Sequence, residues 1–260
     1  MKRLSLLLLF FYAFFIELYA SGPTVDRGIF EIRIYHFTNA EQEAIIDNFL
    51  KNAYLPALRR QKIKMVGVFK PLANDTATDK KIYVLIPYKS LKDFEKIGDK
   101  LHSDKAIAID GASYVNASYD KPVYTRMEKI LVRAFEGMPS IFKPQLTGNR
   151  VDNIYELRSY EGHTEKIFRN KVDMFNKGDE VGIFKRLGFN AVFYSEVIAG
   201  STMPNLMYMT SFNNMKERDE HWKAFISEPA WKALSADPNY QHNVSKNITI
   251  FLHPTEYSEL

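Results

Sequence analysis

The sequence predicts an α+β fold. Two tandem β-α-β-β-α-β halves, each in the ferredoxin-like order, would pack sheet to sheet as an intramolecular α/β barrel. One observation behind this is an internal echo: Ile29–Tyr35 reads I-F-E-I-R-I-Y, and about 125 residues later Ile154–Tyr160 reads I-Y-E-L-R-S-Y. At nearly the same offset Ile82–Leu91 is answered by Leu206–Met215, and Ser103–Ala106 by Ser227–Ala230. Similar segments in the same order at a constant spacing indicate a duplicated module. The other observation is that apolar periodicity alternates between the strand beat and the helix beat in the same order in both halves. A sheet with helices on one side leaves its other side bare, and two such sheets facing each other hide both bare sides and most of the edges.

In the first half, Phe30–Phe37 is rich in Ile, Tyr and Phe and reads as a strand. Thr38-Asn39-Ala40-Glu41 has the spacing of a capping box, and Ile45, Ile46, Phe49 and Leu50 follow at helical spacing. Pro56 should kink or restart that helix. Met65–Phe69 and Ile82–Tyr88 read as a hairpin joined by the polar loop 70–81, Ser90 caps a helix bearing Leu91, Phe94, Ile97 and Leu101, and Val123–Phe135 supplies the last strand. The second half repeats the order with strand Ile154–Tyr160, helix Thr164–Phe175, hairpin Phe189–Val197 and Leu206–Phe212, helix Asn214–Phe225 and strand Ile248–Leu252. The division is a leader over 1–20, a first half over 28–136, a Pro- and Gly-containing linker over 137–150 and a second half over 151–260.

The chain has 260 residues, is 46% hydrophobic and 25% charged, and includes 15 Tyr and 19 Phe, an ordinary globular balance with an aromatic bias. Lys2 and Arg3 precede an apolar run from Leu4 to Ile16, and Leu18-Tyr19-Ala20 ends on a small residue. This is the layout of a secretory signal peptide cleaved near Ala20, which predicts an exported protein, periplasmic or extracellular. The run is shorter than the roughly 20 apolar residues that span a bilayer, so membrane embedding is not expected. The formal charge of +4 arises from 35 basic and 31 acidic residues that are interspersed along the chain, which speaks against a nucleic-acid partner. With no Cys, thiol catalysis, thiolate metal sites and disulfides are excluded.

Alternation along the first strand of each half sorts the residues that could carry chemistry. Phe30, Ile32 and Ile34 share one face, expected to meet the helices, while Glu31, Arg33 and Tyr35 share the other, expected to point into the barrel. In the second half, Tyr155, Leu157 and Ser159 oppose Glu156, Arg158 and Tyr160 in the same way. An acid, a guanidinium and a phenol in an enclosed space must satisfy one another or a ligand, because isolated charges there are costly. One reading is a polar pocket for an anionic or hydroxylated small molecule. The other is a structural Glu–Arg pair that sets register, which the duplication favours. If both ladders are structural, Arg33→Met and Arg158→Met should each cost on the order of 3 kcal/mol. The six histidines show no helical i, i+4 pair and no H-E-x-x-H, and Gly-rich phosphate loops and G-x-S-x-G are absent, so neither a metal nor a cofactor is read from the sequence.

The stretch Leu206–Leu234 carries Arg218, His221, Trp222, Phe225, Pro229 and Trp231 as a strand, a capped helix bearing Arg-x-x-His-Trp, and a Pro-x-Trp. Together with Tyr155–Tyr160 it resembles the NIPSNAP family, and Leu252–Ser258 is similar to the ending of exported bacterial members. The resemblance is strong in the second half. In the first it rests on Glu31–Tyr35 alone, with Phe94, Ile97 and Gly98 where Arg218, His221 and Trp222 would align. It implies the dimeric α/β-barrel fold and supplies no reaction. The residues singled out in the second half are therefore Glu156 and His221 as proton carriers, with Tyr155, Arg158, Tyr160, Tyr208, Arg218 and Trp222 around a ligand. Tyr155 or Tyr208 is expected on the rim, Trp222 against the core and Trp231 as a plug beneath the sheet. The competing reading is a non-catalytic binding or interaction module whose barrel is filled with side chains. A small-molecule ligand and a homo-oligomer are the partners left open. On expression with its leader, the mature chain should begin near Ser21 and be recovered in soluble form from the exported fraction. Recovery in membranes with residues 1–20 intact, read by N-terminal sequencing, would contradict this.

Overall fold

The computed structural model describes residues 25–260, so the expected leader over 1–20 lies outside the described residues. The first half comprises β1 (Ile29–Phe37), α1 (Ala40–Phe49), α2 (Leu55–Arg60), β2 (Gly67–Pro71), β3 (Lys80–Tyr88), α3 (Leu91–His102), α4 (Lys105–Asp110), α5 (Ala112–Val115) and β4 (Arg126–Ala134). The second comprises β5 (Ile154–Glu161), α6 (Glu165–Asn176), α7 (Glu180–Arg186), β6 (Asn190–Ala199), β7 (Asn205–Phe212), α8 (Met215–Ser227), α9 (Pro229–Ala236) and β8 (Lys246–Pro254). Both halves thus have the predicted order. The additional helices α4, α5, α7 and α9 are each eight residues or shorter, too brief for periodicity to reveal them.

The strands close into an antiparallel barrel in the order β1-β3-β2-β8-β5-β7-β6-β4. The ferredoxin-like sheets β4-β1-β3-β2 and β8-β5-β7-β6 meet edge to edge, β2 against β8 and β4 against β6, and these two seams close the barrel. The β2–β8 seam is short, with register pairs only from Phe69↔Pro254 to Pro71↔Leu252, and the C-terminal segment extends it. Thr255 and Glu259 donate backbone N–H groups to the carbonyls of Val68 (2.9 Å) and Val66 (3.0 Å). The β4–β6 seam carries an irregularity at Leu131/Val132 and is reinforced by the buried Glu196, which accepts from Arg27 at 2.8 Å and Arg169 at 2.7 Å.

Local chemistry accounts for the helix boundaries. Ser90, Thr164 and Asn214 each accept the backbone N–H three residues on, the N-cap arrangement that satisfies an orphan donor. The first cap differs by one position from the sequence expectation. Asn39 accepts from the Gln42 N–H at 2.9 Å, and the Gln42 amide oxygen in turn accepts from the Thr38 N–H at 2.9 Å, so the reciprocal pair is Asn39/Gln42 rather than Thr38/Glu41. Pro56 has no N–H to continue the ladder, and the helix widens into a π-turn over Leu50–Tyr54 before α2 resumes.

The faces of the first strands are opposite to the expectation. Phe30, Ile32, Ile34, Tyr155 and Leu157 cluster with Phe69, Leu85, Val132, Phe193, Met207, Met209 and Leu252, a set drawn from all eight strands. That set is the lumen, filled by side chains, with Phe30 edge-on to Phe193 at 5.7 Å and Phe69 against Tyr155 at 4.7 Å. Glu31, Arg33, Tyr35 and their counterparts Glu156, Arg158 and Tyr160 face the helices instead of the barrel interior, where the polar pocket was expected. The reason is cost: an apolar lumen has no groups to solvate two buried carboxylates, whereas helices can supply donors. Phe193→Ala, which empties part of the lumen, should cost about 3–5 kcal/mol in denaturant unfolding with an unchanged m-value. A loss below about 1 kcal/mol would mean that the lumen is not the packed core.

Candidate functional site

In each half the central strand presents Glu-x-Arg-x-Tyr to its helices, and the two sites diverge from there. In the first half Arg33 donates Nε to Glu31 at 2.7 Å, Nη1 to the Tyr35 hydroxyl at 3.3 Å and Nη2 to the Tyr54 hydroxyl at 2.7 Å. The π-turn delivers Tyr54. Tyr88 donates to the second Glu31 oxygen at 3.2 Å, and Phe94, where the second half has Arg218, packs edge-on against the Tyr88 ring at 5.3 Å. Burial opposes the charge of Arg33, but the neighbouring phenols and Glu31 hold its pKa well above the usual value. Each nitrogen of this guanidinium has an acceptor, and Glu31 and Arg33 are both buried.

The second ladder is open. Arg158 donates Nε to Glu156 at 2.6 Å and Nη1 to the Tyr160 hydroxyl at 3.0 Å; its Nη2 has no acceptor among the described residues. Its guanidinium lies 3.7 Å above the Trp222 ring, and register places Tyr208 opposite it on β7, with hydroxyl 2.9 Å from that of Tyr160. Arg218 of α8 clasps Glu156 from the other side through Nε at 2.8 Å and Nη2 at 2.9 Å, and Trp222 Nε1 donates at 2.8 Å. Burial works to raise the Glu156 pKa, but the hydrogen bonds and charges of Arg218 and Arg158 prevail and hold its carboxyl below the usual range. Burial likewise pushes the Tyr208 phenol well up despite the pull of Arg158.

These groups floor a cleft of about 340 Å3 lined by Arg158, Tyr160, Lys171, Glu180, Arg218, Trp222 and Trp231. Lys171 and Glu180 are both buried and paired at 2.9 Å, with the ammonium 4.8 Å from the Phe175 ring centroid and 5.9 Å from that of Trp231. Burial pushes the Glu180 carboxyl up against the pull of Lys171. With Asp219, which accepts from Arg218 Nη1 at 2.9 Å, three carboxylates meet three cations here, a balanced network beside two indole faces in which Arg158 Nη2 has no acceptor among the described residues. Such a surface can hold an organic anion, with Tyr160 and the free Arg158 N–H as directional donors. Among the described residues no three His, Asp or Glu converge as a metal site.

The structure gathers Glu156, Arg158, Tyr160, Arg218 and Trp222, and sets three candidates apart. Tyr155 points into the lumen, where burial pushes its phenol up to about 12 although Arg150 pulls the other way. Tyr208 is buried behind Tyr160 rather than on the rim. His221 lies outside the cleft. Its ring packs against Phe189 and Phe212 at 5.5 and 5.6 Å and its Nδ1 bonds the Glu217 carbonyl at 2.9 Å, so it has no contact with the reacting surface proposed for it. Trp222 packs against the aromatic core at Phe184, Phe189 and Phe225, as expected, and also walls the cleft, while Trp231 walls it from α9 and packs on Phe225. The residues that the sequence reading missed are Lys171 and Glu180. Lys171 stands in the apolar stripe of α6 between Phe168 and Phe175, and a lysine there signals a buried acid. The acid lies on α7, one of the short helices that the reading lacked.

Residues 155–259 match the NIPSNAP family model. No curated protein matches the chain. Among solved structures, a candidate monooxygenase from Lactobacillus acidophilus NCFM superposes with a TM-score of 0.58 at 12% identity, covering 88% of this chain and 94% of its own. A second candidate monooxygenase, from Fusobacterium nucleatum subsp. nucleatum ATCC 25586, gives 0.55 at 8% identity over 89% and 94%. A NIPSNAP family protein from Agrobacterium tumefaciens str. C58 covers 42% of this chain and 98% of its own at 21% identity and a TM-score of 0.36. At these identities the first two likenesses concern the fold, a full-length tandem barrel.

The two ladders should respond differently to loss of arginine, unlike the equal costs expected if both were structural. Arg33→Met leaves the fully buried Glu31 with Tyr88 alone and should cost about 3 kcal/mol. Arg158→Met leaves Glu156 held by Arg218 and Trp222 and should cost about 1 kcal/mol. Urea melts of both variants at pH 7 check this, and equal losses would show that the Arg218 clasp contributes nothing. The second half of the chain, residues 155–259, is a NIPSNAP domain.

Proposed function

We propose that the NIPSNAP domain binds a small organic anion with a flat apolar body, without a nucleotide cofactor, in the cleft between its sheet and α6, α7, α8 and α9. The observation that carries this is the contrast between the ladders. All three guanidinium nitrogens of Arg33 donate to protein acceptors, whereas Arg158 keeps an unused Nη2 in an open cleft that already holds Arg218 and Lys171. The carboxylate or enolate of a ligand would take that donor, and its body would lie against Trp222 and Trp231. The filled lumen favours the competing reading, an interaction module, for the barrel interior; the cleft is where a ligand would have room. Export of the mature chain past a cleaved leader belongs to the same proposal and rests on residues 1–20 of the sequence.

The only two tryptophans of the chain, Trp222 and Trp231, both wall the cleft, so intrinsic fluorescence reports on it directly. Native mass spectrometry of the purified protein would look for a bound anion, and 2-naphthoate and its neutral methyl ester would serve as fluorescence probes. The carboxylate should quench with saturation, the ester should bind about tenfold more weakly, and Arg158→Met should abolish the difference. Equal affinity for acid and ester, or no saturable quenching with no co-purified anion, would leave the interaction module as the function of the domain.

A further inference from the structure

A second cleft, on the first half and outside the NIPSNAP domain, has a different character. It encloses about 560 Å3 between the turn after α2, the end of β3, α3 and the start of the interhalf linker. Lys62, Lys64, Lys89, Lys96 and Lys100 line it, and none of the five makes an ion pair among the described residues. Only Asp26 and Asp93 oppose them, so one cleft gathers a charge excess comparable to the +4 of the whole chain. Its inner wall is apolar, formed by Phe30, Tyr88 and Ile141.

All five lysines are exposed, and gathered around one volume they give it a positive potential that attracts anions. The backbone adds an independent observation. Lys62 ends the α2 turn at φ 64° and Met65 follows at φ 61°, the left-handed region where a side chain is disfavoured and glycine is at ease. Lys62 therefore occupies a position where glycine would be the more stable choice, and its side chain lines the cleft. Strain of this kind is retained where a side chain has a task.

We infer that this cleft is a binding site for a small polyanion, a molecule with two or more carboxylate or phosphate groups. The ammonium groups would contact the anionic groups while the ligand's carbon skeleton rests on the Phe30–Tyr88 wall. The site is separate from the aromatic-anion cleft of the second half, and each stands without the other.

The test is calorimetric titration and thermal shift of the mature protein with citrate and with inositol hexakisphosphate at physiological ionic strength. Four proteins are compared: the wild type, the Lys96→Ala/Lys100→Ala double variant, Lys62→Gly, and a Lys105→Ala/Lys121→Ala double variant that removes two exposed lysines outside the cleft. At least one probe should bind and raise Tm. The cleft double variant should lose about tenfold in affinity, with the control double variant within about twofold of wild type. Lys62→Gly should raise the Tm of the free protein while weakening binding, two changes of opposite sign that a purely structural lysine would not produce. Binding of citrate alone assigns a polycarboxylate, and binding of the hexakisphosphate alone a phosphate ester. Equal losses in the two double variants would reduce the effect to overall charge and overturn the site, as would absence of binding by either probe up to about 1 mM.

Discussion

A strand with an apolar row on one face and a Glu-Arg-Tyr row on the other can meet the opposing sheet with only one of them, and nearly everything else in this molecule depends on that choice. Phe30, Ile32 and Ile34 with Tyr155 and Leu157 go inward, where residues from all eight strands fill the lumen. The charged rows are then driven under the helices, where Glu31 and Glu156 are both fully buried. A carboxylate removed from water there is tolerable only with several donors in place, so each half must build its helices around its own glutamate. The helical layer is in this sense organised by two charges, and the barrel by their exclusion.

Duplication makes the two solutions comparable. In the first half the donors to Glu31 are Arg33 and the Tyr88 phenol on β3, with Phe94 packed behind, and the Tyr54 phenol carried by the π-turn accepts from Arg33. In the second they are Arg218 and Trp222 on α8, which clasp Glu156 from the solvent side and release part of Arg158. The first arrangement gives each guanidinium nitrogen of Arg33 a protein acceptor. The second leaves Arg158 Nη2 without one among the described residues and opens a cleft, with the Lys171–Glu180 pair buried in its wall. One copy of the module thus encloses its ladder while the other leaves it open to a cleft.

Much of the fold was legible. The Ile29–Tyr35 and Ile154–Tyr160 echo, the caps at Ser90, Thr164 and Asn214, and the break at Pro56 all led to the observed order. The orientation of β1 and β5 was not, for a physical reason. These strands are buried on both faces, so alternation separates two rows without saying which one meets helices, and an expectation that polar groups line an interior pocket pointed the wrong way. Glu156, Arg158, Tyr160, Arg218 and Trp222 could be grouped because they recur as motif residues. His221 was carried along by adjacency to Trp222, although neighbouring helical residues point about 100° apart. Glu180 was out of reach because α7 spans barely two turns and follows α6 closely.

The cleft of the NIPSNAP domain also has an uneven mechanical character that follows from the same architecture. Its floor is β5, hydrogen-bonded along its length to β7 on one side and β8 on the other, so Arg158 and Tyr160 project from a strand that cannot shift without breaking two ladders. Its outer wall is α8 and α9, held to the floor through the Glu156 clasp and through the Arg158 guanidinium 3.7 Å above the Trp222 ring, and held together by Phe225 on Trp231 at 4.4 Å. On that wall Ile226 is 62% exposed, at the mouth of the cleft. A ligand anion that took the free Arg158 donor would therefore meet a fixed guanidinium and an adjustable indole wall. Loss of the Arg218 clasp would loosen the wall without moving the floor, because the register of β5 is set by backbone bonds that the clasp does not share.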